Sequence, residues 1–179
     1  MKEKMKKIIL VVDMLNGFCK KGALFDKNIA KIIPRIQNFL ATNSDVDNIF
    51  FCDAHSEDDL EMKNYPLHCL NESYESEIVD ELKQYCKKRI NKNSTNSFFK
   101  VDSEIINNYQ SFEIVGCCTD ICILELALTL RAYLNNMKIN KDVIVYKNLV
   151  DTFHSKNHPR SKFHKFALKI MKNAGIVIK

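Results

Sequence analysis

The chain has no tryptophan, and only four glycines and three prolines among its 179 residues. So little glycine and proline excludes collagen-like and low-complexity classes. A long apolar run is also missing. The early run Ile8-Ile9-Leu10-Val11-Val12 ends at Asp13, far short of the ~18 residues needed to span a bilayer. No small-residue cleavage site follows it, so it does not read as a secretory signal. A cytoplasmic location without a membrane partner is expected. The cysteines are Cys19, Cys52, Cys69, Cys86, Cys117, Cys118 and Cys122, and no two form a CxxC pair. An odd number in a chain without an export signal argues against a disulfide framework, and the missing CxxC argues against a structural zinc site. The question becomes whether one cysteine is a nucleophile.

What is present is ordinary for a globular domain: 46% hydrophobic and 27% charged residues, which also excludes disorder. The length suits one domain spanning residues 1–179. Lys and Arg exceed Asp and Glu by 27 to 22. Much of the excess lies in Lys2, Lys4, Lys6 and Lys7 and in the run from Lys156 to Lys172. Such runs are usually solvated faces, and neither is interleaved with exposed-looking aromatics, so no nucleic-acid partner is expected.

Short continuous apolar runs predict buried strands at 7–12, 48–52, 113–115 and 143–145, with a weaker one at 88–90 and a closing one at 176–178. Helical spacing appears between them. It joins Ile29, Ile32, Ile33, Ile36 and Leu40; then Ile78, Val79, Leu82 and Tyr85; then Ile121, Leu124 and Leu128 onward; then Phe163, Phe166, Ala167, Ile170 and Met171. Alternation of strand and helix predicts a three-layer α/β/α domain around a mostly parallel sheet. The longest irregular stretch, about 55–74, reads as a functional insertion.

Open α/β sheets bind ligands at the carboxyl ends of their strands. Asp13, Asp53, His55, Lys92 and the segment Gly116-Cys117-Cys118-Thr119-Asp120-Ile121-Cys122 all fall there. Thr119 reads as a helix N-cap, which places Cys122 in the first helical turn. Unpaired N–H groups and the helix dipole at that end favour a thiolate, so the thiol pKa is expected to fall. The same N–H groups can receive an oxyanion. A buried free cysteine is the bland alternative. With Asp13 and Lys92 beside it, Cys122 has a proton acceptor and a cationic organiser.

Asp53 and His55 stand at i and i+2, on one face of an extended segment, and His68 follows thirteen residues later. One carboxylate and two imidazoles suit a divalent transition metal with open positions: zinc, manganese or iron. A pair of loop histidines bonded to backbone is the alternative.

Taken together, these segments resemble the isochorismatase-like cysteine hydrolases, and within them the nicotinamidases. The resemblance rests on Val12-Asp13 with Asn16-Gly17-Phe18, on Cys52-Asp53-Ala54-His55, on Tyr65-Pro66-Leu67-His68, on Lys92-Asn93-Ser94, and on the Gly116 to Cys122 elbow. It implies Asp13, Lys92 and Cys122 as the catalytic set. It also implies backbone N–H groups of Cys118 and Cys122 as an oxyanion hole, with a non-proline cis peptide before Cys118. A metal held by Asp53, His55 and His68, with Glu61 as a candidate fourth ligand, would hold a pyridine nitrogen. Phe18 and Tyr65 are placed to wall the ring. The expected reaction is nicotinamide to nicotinate and ammonia, by a homo-oligomer. Another small-amide hydrolase, carbamoyl or ureido, or an isochorismatase-type hydrolase are the alternatives. Departures from the family pattern are Ala54 where Trp is common, Leu67 where Pro is common, and Asn71-Glu72-Ser73 in place of a Gly-Thr. They touch the pocket wall.

Overall fold

The computed structural model describes residues 6–179; Lys2 and Lys4 of the basic N-terminal run lie outside them. In chain order the elements are β1 (Lys7–Val12), α1 (Asn16–Cys19), α2 (Lys27–Ala30), α3 (Ile33–Thr42), β2 (Asp47–Asp53), α4 (Asp80–Lys83), β3 (Arg89–Lys92), α5 (Ser103–Asn108), β4 (Ser111–Cys117), α6 (Cys122–Asn136), β5 (Asp142–Asp151), α7 (Arg160–Asn173) and β6 (Val177–Ile178). Single 3-10 turns stand at Leu60–Lys63, Tyr74–Ser76 and Ser97–Lys100.

The six strands form one sheet in the order β3-β2-β1-β4-β5-β6, and every pairing is parallel. The order reverses between β1 and β4, and a crevice opens at their carboxyl ends, where α/β sheets bind ligands.

Side-chain alternation on the strands builds two cores. Ile8, Leu10, Val12, Phe112 and Ile114 face α6 and α7, where Ile123, Leu126, Leu130 and Met171 are buried. Ile9, Val11, Phe50 and Val115 face the other layer, against Ile33, Ile36 and Leu40 of α3 and Leu82 of α4.

Three expectations change. The periodic stretch from Ile29 to Leu40 is two helices. Pro34 sits at the start of α3, where its missing N–H is harmless, whereas it could not continue a helix from α2. In α7 the stripe is narrower than its sequence suggests: Ala167 and Met171 are buried, but Phe166 is 63% exposed. Aromatics are therefore exposed within the 156–172 run. Finally, β5 is longer than 143–145. Ile114 pairs with Val145 and Gly116 with Val150, so β5 carries extra residues in which Lys147 and Asn148 are exposed. Among the described residues no helix is long and apolar enough to cross a membrane.

Candidate active site

Asp13 is the first residue past β1 and adopts a φ of +53°, a left-handed conformation that Asp tolerates better than most residues. Its N–H donates to the Phe51 carbonyl at 2.9 Å, and its Oδ1 accepts from the Asp53 N–H at 3.0 Å. Lys92 closes β3 and is buried. Its ammonium lies 2.8 Å from Asp13 Oδ2, contacts Asp53 Oδ1 and donates to the Ser94 carbonyl at 3.1 Å. Cys122 is buried beside this pair, where its side chain favours the ionised form of the Asp13 carboxyl. Three residues from β1, β3 and α6 thus meet in one buried cluster.

The cluster's electrostatics follow from its burial. Burial and the Asp53 charge push the Asp13 carboxyl up to about 7, against the pull of Lys92 and Cys122. Burial tends to discharge Lys92, but Asp13 and Asp53 outweigh it and hold the ammonium well above its usual range. Burial pushes the Cys122 thiol well above its usual range; Lys92 opposes this, while Asp13 and Asp53 add to it. The expected fall in thiol pKa is therefore corrected. A helix end contributes roughly 0.3–1 kcal/mol toward an anion, less than complete desolvation beside carboxylates takes away.

The elbow before α6 depends on Gly116, whose φ is +121°. A Cβ there would lie 2.0 Å from the Val12 carbonyl oxygen, so only glycine lets β4 approach β1 this closely. The Cys117–Cys118 peptide is cis. The buried Cys117 thiol donates to the Asp13 carbonyl at 3.1 Å. The Cys118 carbonyl accepts from the N–H groups of Ile121 and Ile123 at 3.2 and 3.1 Å. Cys122 is the first residue of α6, as its spacing suggests, but Thr119 does not cap the helix. The N-cap is Ile121, without a side-chain bond. Thr119 is buried instead, its N–H donating to the Asp151 carbonyl at 3.0 Å and its hydroxyl paired with His164 Nδ1 at 2.9 Å. Tertiary partners on α7 and β5 outcompete the local cap.

Asp53, His55 and His68 bring their ligand atoms within 4.8 Å of one another, all three residues buried. His55 Nδ1 pairs with Asp59 Oδ2 at 3.0 Å, and His68 Nδ1 with the Pro66 carbonyl at 2.8 Å. Each ring is thus anchored through one nitrogen and turns its Nε2 inward, 3.6 Å (His55) and 3.9 Å (His68) from the Asp53 oxygens. His55 Nε2 is buried without a hydrogen-bond partner, a costly state unless something else binds it. Anchored imidazoles beside a carboxylate fit a divalent metal. Glu61 Oε1 lies 3.9 Å from His55 Nε2, while its Oε2 accepts from the Thr95 N–H at 3.0 Å.

Both clusters open on one cavity of about 260 Å³, with Asp53, Glu61, His68 and Cys122 in its lining. Phe18 and Tyr65 stand edge-on to His68, with ring centroids 5.8 and 6.2 Å away, and both line the same cavity. Sequence reasoning missed Asp59, the anchor of His55, although a carboxylate four residues past a candidate ligand was a usable signal. It also missed Thr95 and Phe153, which line the cavity from segments distant in sequence.

The isochorismatase domain family model matches residues 7–179. Nicotinamidase 1 of Arabidopsis thaliana is 25% identical over 202 aligned residues, covering 93% of this chain and 82% of that protein. Among solved structures, an isochorismatase-like hydrolase from Alkaliphilus metalliredigens superposes with a TM-score of 0.80 at 20% identity, covering 97% of this chain and 94% of the other. A pyrazinamidase of Pyrococcus horikoshii in complex with zinc gives 0.78 at 23% identity, covering 97% and 98%. These structural likenesses establish the α/β/α fold, and the family match extends from β1 to the last residue: the chain belongs to the isochorismatase family.

Proposed function

We propose that this protein is a cysteine amidohydrolase that converts nicotinamide to nicotinate and ammonia. One observation carries the reading: Cys122, from the buried Asp13–Lys92–Cys122 cluster, and Asp53 and His68, from the buried trio they form with His55, line the same small, apolar-walled cavity. The curated nicotinamidase relative and the zinc-bound pyrazinamidase neighbour support it.

Because the thiol is neutral at rest, its proton must leave as it attacks. Asp13, buried beside Cys122 and raised to about 7, is matched to take that proton near neutral pH. The sulfur then bonds to the amide carbonyl carbon, and the oxygen takes the charge. Backbone N–H groups of Cys118 and Cys122 receive that oxyanion. The C–N bond breaks as Asp13 returns the proton to the departing ammonia. Water attacks the thioester, Asp13 takes its proton, and nicotinate leaves with the thiol restored. Throughout, Lys92 offsets the charge alternating between Asp13 and Cys122. Asp53, His55 and His68, with Glu61 as a fourth donor, would hold a divalent metal. When bound, it supplies a Lewis-acidic point for the pyridine nitrogen that fixes the ring's place. Phe18 and Tyr65 supply flat apolar contact to the ring.

The test is ammonia release from a panel of small amides, with and without a chelator, by the wild type and Cys122→Ala. Nicotinamide should lead the panel, chelation should slow it, and Cys122→Ala should be inactive. Full activity in Cys122→Ala with loss in Cys118→Ala would overturn the nucleophile's assignment.

A further inference from the structure

The segment joining β5 to α7 carries a second, half-buried arrangement, which the mechanism above does not use. His158 is stacked between two phenylalanines. Its ring centroid is 3.9 Å from that of Phe153 at an interplanar angle of 7°, and 3.9 Å from that of Phe163 at 30°. Its Nε2 lies 2.6 Å from Asp120 Oδ2, and its Nδ1 lies 3.1 Å from the Phe153 carbonyl. Both partners accept, so both ring nitrogens are spoken for. The segment is itself tied down. Ser155 and His158 exchange backbone hydrogen bonds at 3.1 Å each, and Arg160 grips the Asp151 carboxylate through two nitrogens.

Each end of this arrangement reaches the active site. Phe153 lines the cavity. Asp120 lies two residues before Cys122, inside the turn whose Cys118 carbonyl accepts from Ile121 and Ile123. The other Asp120 oxygen, Oδ1, is buried without a hydrogen-bond partner. Among the described residues His158 is thus the hydrogen-bond anchor of that carboxylate. A stacked ring that only filled space would need neither polar contact.

We propose that His158 is a positioning residue: through Asp120 it fixes the turn that presents Cys122, and through its stack it fixes Phe153 as the cavity wall. The inference rests on Cys122 being the nucleophile. Misplacing a reacting group by about 1 Å can cost on the order of a hundredfold in rate.

The decisive variant is His158→Phe, which keeps the stack but removes both hydrogen bonds. We expect alkylation at Cys122 by iodoacetamide, followed by peptide mass, to slow by on the order of tenfold or more. The kcat on nicotinamide should fall in parallel with little change in KM, because Phe153 stays stacked. Asp120→Ala, which removes the acceptor of His158 Nε2, should behave alike, and the double variant should be no worse than either single one. Should His158→Phe fail to fold, Asp120→Ala carries the same expectation alone. Wild-type alkylation and kcat in both variants, or losses that multiply in the double variant, would overturn the proposal. Alkylation needs no substrate, so a wild type that ignores nicotinamide refutes the proposed reaction and leaves this result standing.

Discussion

Replacing Lys92 with Met should cost the fold as much as the chemistry. The ammonium is buried between Asp13 Oδ2, 2.8 Å away, and Asp53 Oδ1. Met keeps most of the aliphatic stem, so the cavity left behind is small. What remains is a pair of buried carboxylates without their cation. Breaking a buried ion pair from one side costs about 3–5 kcal/mol. For a chain of this size that corresponds to a fall of roughly 6–20 °C in the melting midpoint. The assay is urea unfolding of wild type and Lys92→Met in chelator, so that no added ion neutralises Asp53. Lys83→Met is the control. Lys83 also bridges two carboxylates, at 2.8 Å each, but on the surface, where ion pairs contribute little, so its midpoint should stay put. Adding Asp13→Asn to Lys92→Met should recover part of the loss, because one of the stranded charges is gone. A Lys92→Met loss below about 1 kcal/mol, or losses that simply add with Asp13→Asn, would refute the claim that these groups form one charge-balanced unit.

Three further outcomes are expected. Gly116→Ala should yield no folded protein, since the new Cβ would lie 2.0 Å from the Val12 carbonyl at a φ of +121°; a soluble variant of near-native midpoint would contradict this. Asp59→Ala should weaken zinc binding by roughly 10- to 100-fold by freeing His55 Nδ1, read by competition against a chelating dye; unchanged affinity would mean that Asp59 does not support the site. Benzamide, which lacks the ring nitrogen, should be a far poorer substrate than nicotinamide, by more than the ~1–3 kcal/mol typical of a missing methylene; comparable kcat/KM on both would leave an amidohydrolase of another substrate.

The parts of the fold legible in the sequence were those set by local pattern. Continuous apolar runs such as Ile8 to Val12 are the mark of parallel strands covered on both faces, and β1, β2 and β4 lie where those runs are, while the weaker expectation at 88–90 falls on the mostly exposed edge strand β3. The joint placement of Asp13, Asp53, His55, Lys92 and Cys122 at strand ends follows from the same reading, because strand ends in such sheets converge. What escaped depended on partners far along the chain. Thr119 has every local feature of a cap, yet Asp151 and His164 claim it. Asp59 looks like one loop acid among several until His55 Nδ1 is found beside it. Phe166 keeps helical spacing with Phe163 and Ile170 but rides past the edge of the core.

The state of the thiol marks the same boundary and changes the mechanism. Its place at the start of α6 argues for a standing thiolate, and position in a helix is all that local sequence supplies. Asp13 and Asp53 are 40 residues apart in the chain, yet they share a hydrogen bond and Lys92 lies between them. With one ammonium shared between two buried carboxylates, the Cys122 thiol is held above its usual range. The cation is already claimed, and Asp53 also raises Asp13. The burial that withholds charge from Cys122 thus tunes Asp13 to accept its proton. In the proposed reaction the Cys122 proton therefore passes to Asp13 as the sulfur attacks, rather than before the substrate arrives.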